Sequence, residues 1–372
     1  MRLADAPLLA TLRDPRRMAR LEESDWDLLL RQARATGLLG RLGALARQLG
    51  IAERIPRHVW RHMEAVLSIA DRQRRAVLWE VRLLSRALAG ANVPVVLLKG
   101  AAYAAADLPP AAGRTFSDID ILVPKAALAE AEKRLFLAGW ITTHHDAYDQ
   151  RYYRQWMHEL PPMTHIRRGT NLDVHHGILP ETARIKTRPD LILAAAWPLP
   201  GHPGIHIPCP ADQVLHSATH LYHEGEWEHG LRDLSDLDGL LRTYGADDRF
   251  WPELTARAHA LNLAGPLGHA LSHVRALLDT PVPEPVLRSL CRQGSLRRGL
   301  MDRLFLDGMA CAHPSLRHPA TGVAQFLLYV RSHWLRMPMH LLIPHLLRKA
   351  LVKAEKTEPR PADEEKQDRA PA

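Results

Sequence analysis

Ser117-Asp118-Ile119-Asp120-Ile121-Leu122-Val123 is the stretch on which the reading of this 372-residue chain turns. Polar and apolar residues alternate along it, which predicts a half-buried β-strand. Residues two apart on a strand project to the same face, so the Asp118 and Asp120 carboxylates lie side by side, anchored by Ile119, Ile121 and Leu122. Like charges held together are unfavourable unless something positive offsets them. A hard divalent ion does this most simply, because Mg²⁺ takes carboxylate oxygens together with phosphate oxygens of a substrate.

The flanking residues point the same way. Upstream, Val95 to Leu98 form a short continuous apolar run, the pattern of a fully buried strand. Lys99-Gly100 stops it and Ala101 to Ala106 reads as a short helix, so a glycine backbone and a helix N-terminus face one region, as a phosphate requires. A loop with Pro109, Pro110 and Gly113 follows, and Arg114 can supply a second positive group; Ser117 reads as a turn or cap residue. Downstream, Arg168-Gly169-Thr170 looks like a hairpin turn leading into the returning strand Leu172-Asp173-Val174-His175. Asp173 would be a third carboxylate, completing a site for two metal ions, and His175 faces the same side of its strand.

These residues resemble the DNA polymerase beta-type nucleotidyltransferase superfamily. Within it, Leu98-Lys99-Gly100, Arg114 and Asp118-Ile119-Asp120 look most like the signature of an uncharacterised bacterial nucleotidyltransferase family. The likeness of the core covers about residues 93 to 180, and the helical flanks, including Leu231-Arg232-Asp233-Leu234, also fit. The resemblance implies a mixed sheet with helices and three carboxylates holding two Mg²⁺ ions. It also implies in-line attack of an acceptor hydroxyl on a nucleoside triphosphate such as ATP, with release of pyrophosphate. By the same match, Asp118 and Asp120 hold both metals. Asp173 holds the catalytic one and helps to deprotonate the acceptor, and Lys99, Gly100, Arg114 and Ser117 lie on the nucleotide. Where the wider superfamily usually has Gly-Ser, this chain has Gly100-Ala101, so one phosphate-gripping hydroxyl is absent and Lys99 contributes charge instead.

Around this centre the chain reads as helical. Trp26, Leu28, Leu29, Leu30 and Ala33 begin an amphipathic pattern behind Ser24 as N-cap. Gly37, Gly40 and Gly43 are expected to loosen the next segment. A long helix runs from about Pro56 to Ala89, ended by Gly90 and Asn92. Ala126 to Leu137 is a helix stopped by Gly139, and Trp140–Thr143, Tyr152–Trp156 and Met163–Arg167 are candidate strands. Strands thus cluster between residues 94 and about 208, and helices follow Pro210. The fold class expected is α+β. It divides into an N-terminal helical region (1–92), a nucleotidyltransferase core (93–209), a C-terminal helical region (210–354) and a disordered tail (355–372) almost devoid of apolar residues.

Composition narrows the partners. With 46% hydrophobic and 24% charged residues, collagen-like, wholly disordered and disulfide-scaffold classes are excluded. The three scattered cysteines, Cys209, Cys291 and Cys311, form no CxxC pair, which points to a reducing compartment. The first twenty residues lack the apolar core of a signal peptide, and no apolar run is long enough to span a membrane. A cytoplasmic protein is expected. Met337 to Val352 is a basic amphipathic segment that reads either as a packed terminal helix or as a weak peripheral membrane contact. A net charge of +8 favours an anionic partner. His216, His220 and His223 share one helix face and are read as structural residues lining a cleft. The acceptor is open among a small molecule, a protein and an RNA. The alternative to an enzyme is an inactive member of the fold serving as a binding module that neutralises a toxin or holds an RNA.

Overall fold

The computed structural model describes residues 3–90, 93–142, 146–225, 227–290 and 296–344. The expected disordered tail, residues 345–352 of the basic amphipathic segment, Cys291 and the helix-ending Asn92 lie outside the described residues. Four helices come first: α1 (Pro7–Arg13), α2 (Glu23–Ala35), α3 (Leu39–Gln48) and α4 (Arg57–Leu88). The middle of the chain carries β1 (Val95–Leu97), β2 (Asp118–Leu122), β3 (Trp140–Thr142), β4 (Met163–His165), β5 (Asn171–His175), β6 (Trp197–Pro198) and β7 (Ile205–Ile207). Between them lie α5 (Lys99–Ala105), α6 (Leu128–Leu137), α7 (Ala147–Trp156) and α8 (Pro189–Ala194). The helices α9 (Pro210–His223), α10 (Gly230–Tyr244), α11 (Phe250–Ala260), α12 (Ala264–Leu278), α13 (Glu284–Leu290), α14 (Leu296–Met309) and α15 (Ala320–Arg336) follow. The molecule is therefore α+β, with helices flanking one mixed sheet.

The seven strands order β3-β4-β5-β2-β1-β7-β6. The Asp118–Leu122 strand, β2, runs near the middle, antiparallel to β1 and parallel to β5. A central position buries more of it than the alternating pattern predicts: Ile119, Asp120, Ile121 and Leu122 are all buried, and only Asp118 at its start is exposed. Ile119, Ile121, Leu172 and Val174 form the apolar underside of the β2–β5 pair. One apolar core, reaching from Leu3 to Leu328, joins the sheet to the helices on both sides of it in sequence.

Several local expectations need correction. Ser24 lies inside α2; Glu22 is the N-cap, and its carboxylate and that of Asp25 form a capping box. Gly40 and Gly43 do not loosen α3. They let it pack tightly, because a Cβ on Gly40 would sit 2.1 Å from the Gly113 carbonyl oxygen and one on Gly43 would press on Leu67 and Met63 of α4. Tyr152 to Trp156 belongs to α7, not to a strand. Tyr148, Tyr152 and Trp156 recur every four residues, and their rings meet edge to face about 6 Å apart, so helical spacing outweighs the β-propensity of the aromatics. On α4, Ala70, Val77, Leu84 and Leu88 are buried, whereas Ile69 is exposed.

The Pro109–Pro110 loop is braced. Arg41 from α3 donates to the carbonyl oxygens of Pro109 and Pro110, and Gly239 of α10 leaves room for the Pro110 ring. This brace sets the position of Arg114 and of the entry to β2.

Candidate functional site

Parallel register places Asp120 of β2 directly beside Asp173 of β5, and Asp118 beside Asn171. With two-residue alternation, Asp118, Asp120, Asp173 and His175 share one face of the sheet. The three carboxylates singled out from the sequence are thus brought together by one strand pairing.

The segment 158–160 completes this face. The Leu160 amide donates to the Val174 carbonyl, the His176 amide donates to the His158 carbonyl, and Glu159 bridges to His175. His175 then stands between two acids, with Nε2 3.2 Å from Asp120 Oδ1 and Nδ1 3.3 Å from Glu159 Oε2. Burial opposes its charged form, but the bond to Asp120 and the charges of Glu159 and Asp120 hold its pKa above the usual value. Asp120 is buried too, which alone would favour its neutral form; Lys99 and His175 more than offset this and hold it well below the ordinary carboxylate range.

Lys99 opens α5 with φ at +44°, a left-handed conformation that a lysine adopts only at a cost. Burial works against its charge, yet Asp120, Glu224, Asp233 and Asp118 keep it firmly protonated. Exchanging the lysine separates charge from strain. Lys99→Gly relieves the backbone and Lys99→Ala does not, so the glycine variant should be the more stable by about 1 kcal/mol in urea unfolding. Both should bind a magnesium triphosphate about tenfold or more weakly in calorimetry. Equal stability of the two would show that the conformation carries no strain.

Two cavities meet at these carboxylates. The larger, about 780 Å³, is lined on the sheet side by Lys99, Gly100, Arg114, Ser117, Asp118 and Asp120, and on the other by helical residues including Asp233 and Tyr329. The smaller, about 240 Å³, has Asp173, Glu159, His158 and Arg336 in its wall. Lys99, Asp118, Asp120, His220 and Glu224 line both.

The positive residues expected on a nucleotide are placed unequally. Arg114 reaches the cleft but its guanidinium pairs with buried Asp236 of α10, which also takes Arg41 Nη2 at 3.1 Å; Arg114 Nε is buried with no partner among the described residues. Gly100 lines the cleft, yet the space its missing side chain leaves is filled by Phe116 and by Arg114 Nε, 3.1 and 3.3 Å from where a Cβ would stand. The Ser117 hydroxyl donates to Asp118 Oδ1 at 2.9 Å.

Of the histidine face, His220 reaches the cleft and pairs with Glu224 at 2.6 Å. His216 is buried, and burial and the charge of Lys99 push its pKa well below the usual value. His223 is buried and both its ring nitrogens lack partners among the described residues. No metal ligand set forms on this helix face among the described residues. His158, Glu159 and His175, by contrast, offer three ligand atoms within 4.8 Å of one another.

The donor set fits hard divalent ions. Asp118, Asp120 and Asp173 present carboxylate oxygens on one face, with Glu159 close by and with Lys99 and His175 as the nearest positive groups. Positive charge falls short here. Burial and the neighbouring charges of Asp120 and Glu159 push the Asp173 carboxyl up to about 7, a burden that a bound cation would lift.

Sequence reading did not find Glu159, Glu224, Asp236, Arg41 or Arg336. Glu224 stands four residues after His220 and Asp236 three after Asp233, spacings that could have flagged them; Glu159 sits in a loop with no pattern around it.

A family model described as an uncharacterised nucleotidyltransferase matches residues 22–279. No curated protein and no solved structure matches the chain.

Proposed function

The chain belongs to the uncharacterised nucleotidyltransferase family, and from that premise we propose that it is an Mg²⁺-dependent enzyme of the DNA polymerase beta-type superfamily, moving a nucleoside monophosphate from a triphosphate to an acceptor hydroxyl. The observation that carries this reading is the register of β2 on β5, which sets Asp120 beside Asp173 at the junction of two cavities.

In this reading Asp118, Asp120 and Asp173 hold two Mg²⁺ ions. When bound, these supply charge neutralisation of the triphosphate and activation of the attacking oxygen. The chain's own residues do the rest. The larger cavity takes the nucleotide, with Lys99 against its phosphates and the rings of Phe116 and Tyr329 offering flat apolar surfaces to the base. Asp173 lines only the smaller cavity of the two, so the acceptor hydroxyl enters there, and Asp173 is positioned to take its proton. Glu159 holds His175, and His175 orients Asp120. Arg41, through Asp236, fixes Arg114 at the cleft wall. Segment 93–209 carries the chemistry, and C-terminal helical residues such as His220, Glu224, Asp233, Tyr329 and Arg336 close the cleft over it.

Radiolabelled nucleotides, Mg²⁺ and cell extract supply the test. The purified chain should transfer label from the α-phosphate to an acceptor and release pyrophosphate. The absence of the usual serine after Gly100 favours a second reading, a binding module without catalysis. Calorimetry with Mg²⁺ and a non-hydrolysable triphosphate separates the two, since metal-dependent triphosphate binding is expected only of the enzyme.

A further inference from the structure

We infer that the α14–α15 face is a docking surface for an anionic lipid bilayer, binding it peripherally. A helix on a protein surface normally turns polar residues outward. On α15 the inward positions are Thr321, Ala324, Leu328 and Ser332, all buried. The opposite face carries Val323, Phe326, Leu327, Val330 and Trp334, spaced at i, i+3, i+4, i+7 and i+11, and every one is exposed, Phe326 by 65% and Val323 by 61%. An apolar stripe thus stands where solvated charge belongs. Leu296 and Leu300 of α14, which packs along α15, are exposed as well, and so are Met339 and Ile343 beyond it.

Charge selects the occupant. Residues 296–344 contain six arginines (Arg297, Arg298, Arg303, Arg317, Arg331 and Arg336) against two aspartates and no glutamate. Both acids are spent internally, Asp302 on His269 and Asp307 on Arg303 and His318. A second copy of the chain would set one basic lobe against another. An anionic bilayer accepts apolar side chains at its acyl boundary and basic ones at its headgroups; Arg297, Arg303 and Arg317 are exposed and supply the latter, whereas Arg331 turns inward to the Tyr222 carbonyl and Arg336 to the smaller cavity. At the rim, the Arg184 guanidinium stacks 3.8 Å over the Trp334 ring, an interfacial pairing of tryptophan and arginine. None of the described helices is long and apolar enough to cross the membrane, so the contact is peripheral. Phe326 also lines the larger cavity, so the cleft mouth would open at the lipid surface.

The test uses the full chain and vesicles of phosphatidylcholine with or without roughly 30% phosphatidylglycerol. The protein should co-sediment with the anionic vesicles, less so as salt is raised. Val323→Asp/Leu327→Asp/Val330→Asp should lower the partition at least about tenfold, with melting temperature unchanged because all three positions are exposed. If that variant fails to fold, the triple serine replacement is measured instead. Failure to bind anionic vesicles overturns the proposal. So does undiminished binding by the variant, which would move the contact to residues beyond 344, and so does light scattering that shows a dimer dissolved by the three substitutions. These readouts involve no nucleotide, so their failure would leave the proposed chemistry untouched.

Discussion

Asp120→Asn should remove nucleotidyl transfer by on the order of 10³-fold or more while leaving the protein folded. The side chains have nearly the same shape, and the backbone bonds of β2 to β1 and β5 do not involve the carboxylate. What changes is charge. Asp120 is the buried acid on which Lys99 and His175 converge, and its own pKa is held far below the ordinary range, so it is ionised under all working conditions. An amide in its place offers one weak oxygen ligand and leaves Lys99 and His175 with less to offset them. Label transfer under single-turnover conditions, with circular dichroism melting as the control for folding, provides the measurement. Asp118→Asn and Asp173→Asn should fall into the same class. Transfer that survives the Asp118→Asn/Asp120→Asn pair would place the chemistry elsewhere in the molecule.

The largest loss of stability is expected from Asp236→Ala. This carboxylate is buried, with Arg41 on one oxygen and Arg114 on the other. Both arginines are buried or nearly so; burial disfavours the charge of each and Asp236 favours it, outweighing burial at Arg114 and only partly offsetting it at Arg41. Removing the acid strands two guanidinium groups in the interior, and breaking a buried pair in this way costs about 3–5 kcal/mol. Urea unfolding should show the loss as a shift of midpoint at constant slope. The effect should spread to the cleft, because Arg41 also ties the Pro109–Pro110 brace and Arg114 loses the partner that fixes it. A loss below about 1 kcal/mol would mean that water reaches and solvates the two arginines.

Different parts of the molecule were legible to different degrees, for physical reasons. The helices α2 and α4 and the buried strand β1 follow from hydrophobic periodicity, a local property that tertiary packing had no cause to overrule. The same local logic misread Tyr152–Trp156, where aromatic residues satisfy strand propensity and helical spacing equally well and neighbours decide. It misread Gly40 and Gly43 because a glycine that loosens a helix and one that admits another backbone are identical in sequence. The alternation of β2 sorts Ile119 and Ile121 into the core and Asp118 and Asp120 onto the cavity face, but it carries no sign that the cavity face is itself enclosed, which leaves Asp120 buried.

The candidate site divides along the same line. The chain alone determined the side-by-side carboxylates of Asp118 and Asp120, the lysine and glycine at the end of β1, and a third acid at Asp173, because two-residue alternation and turn chemistry act within a few residues. Only the tertiary structure decided that Asp173 stands beside Asp120 in a parallel pair, that Arg114 is committed to Asp236, and that Glu159 supports His175 from a loop. Those relations join residues from 16 to 122 positions apart. They depend on which surfaces bury each other and which charges must then find partners, and no local pattern encodes that choice.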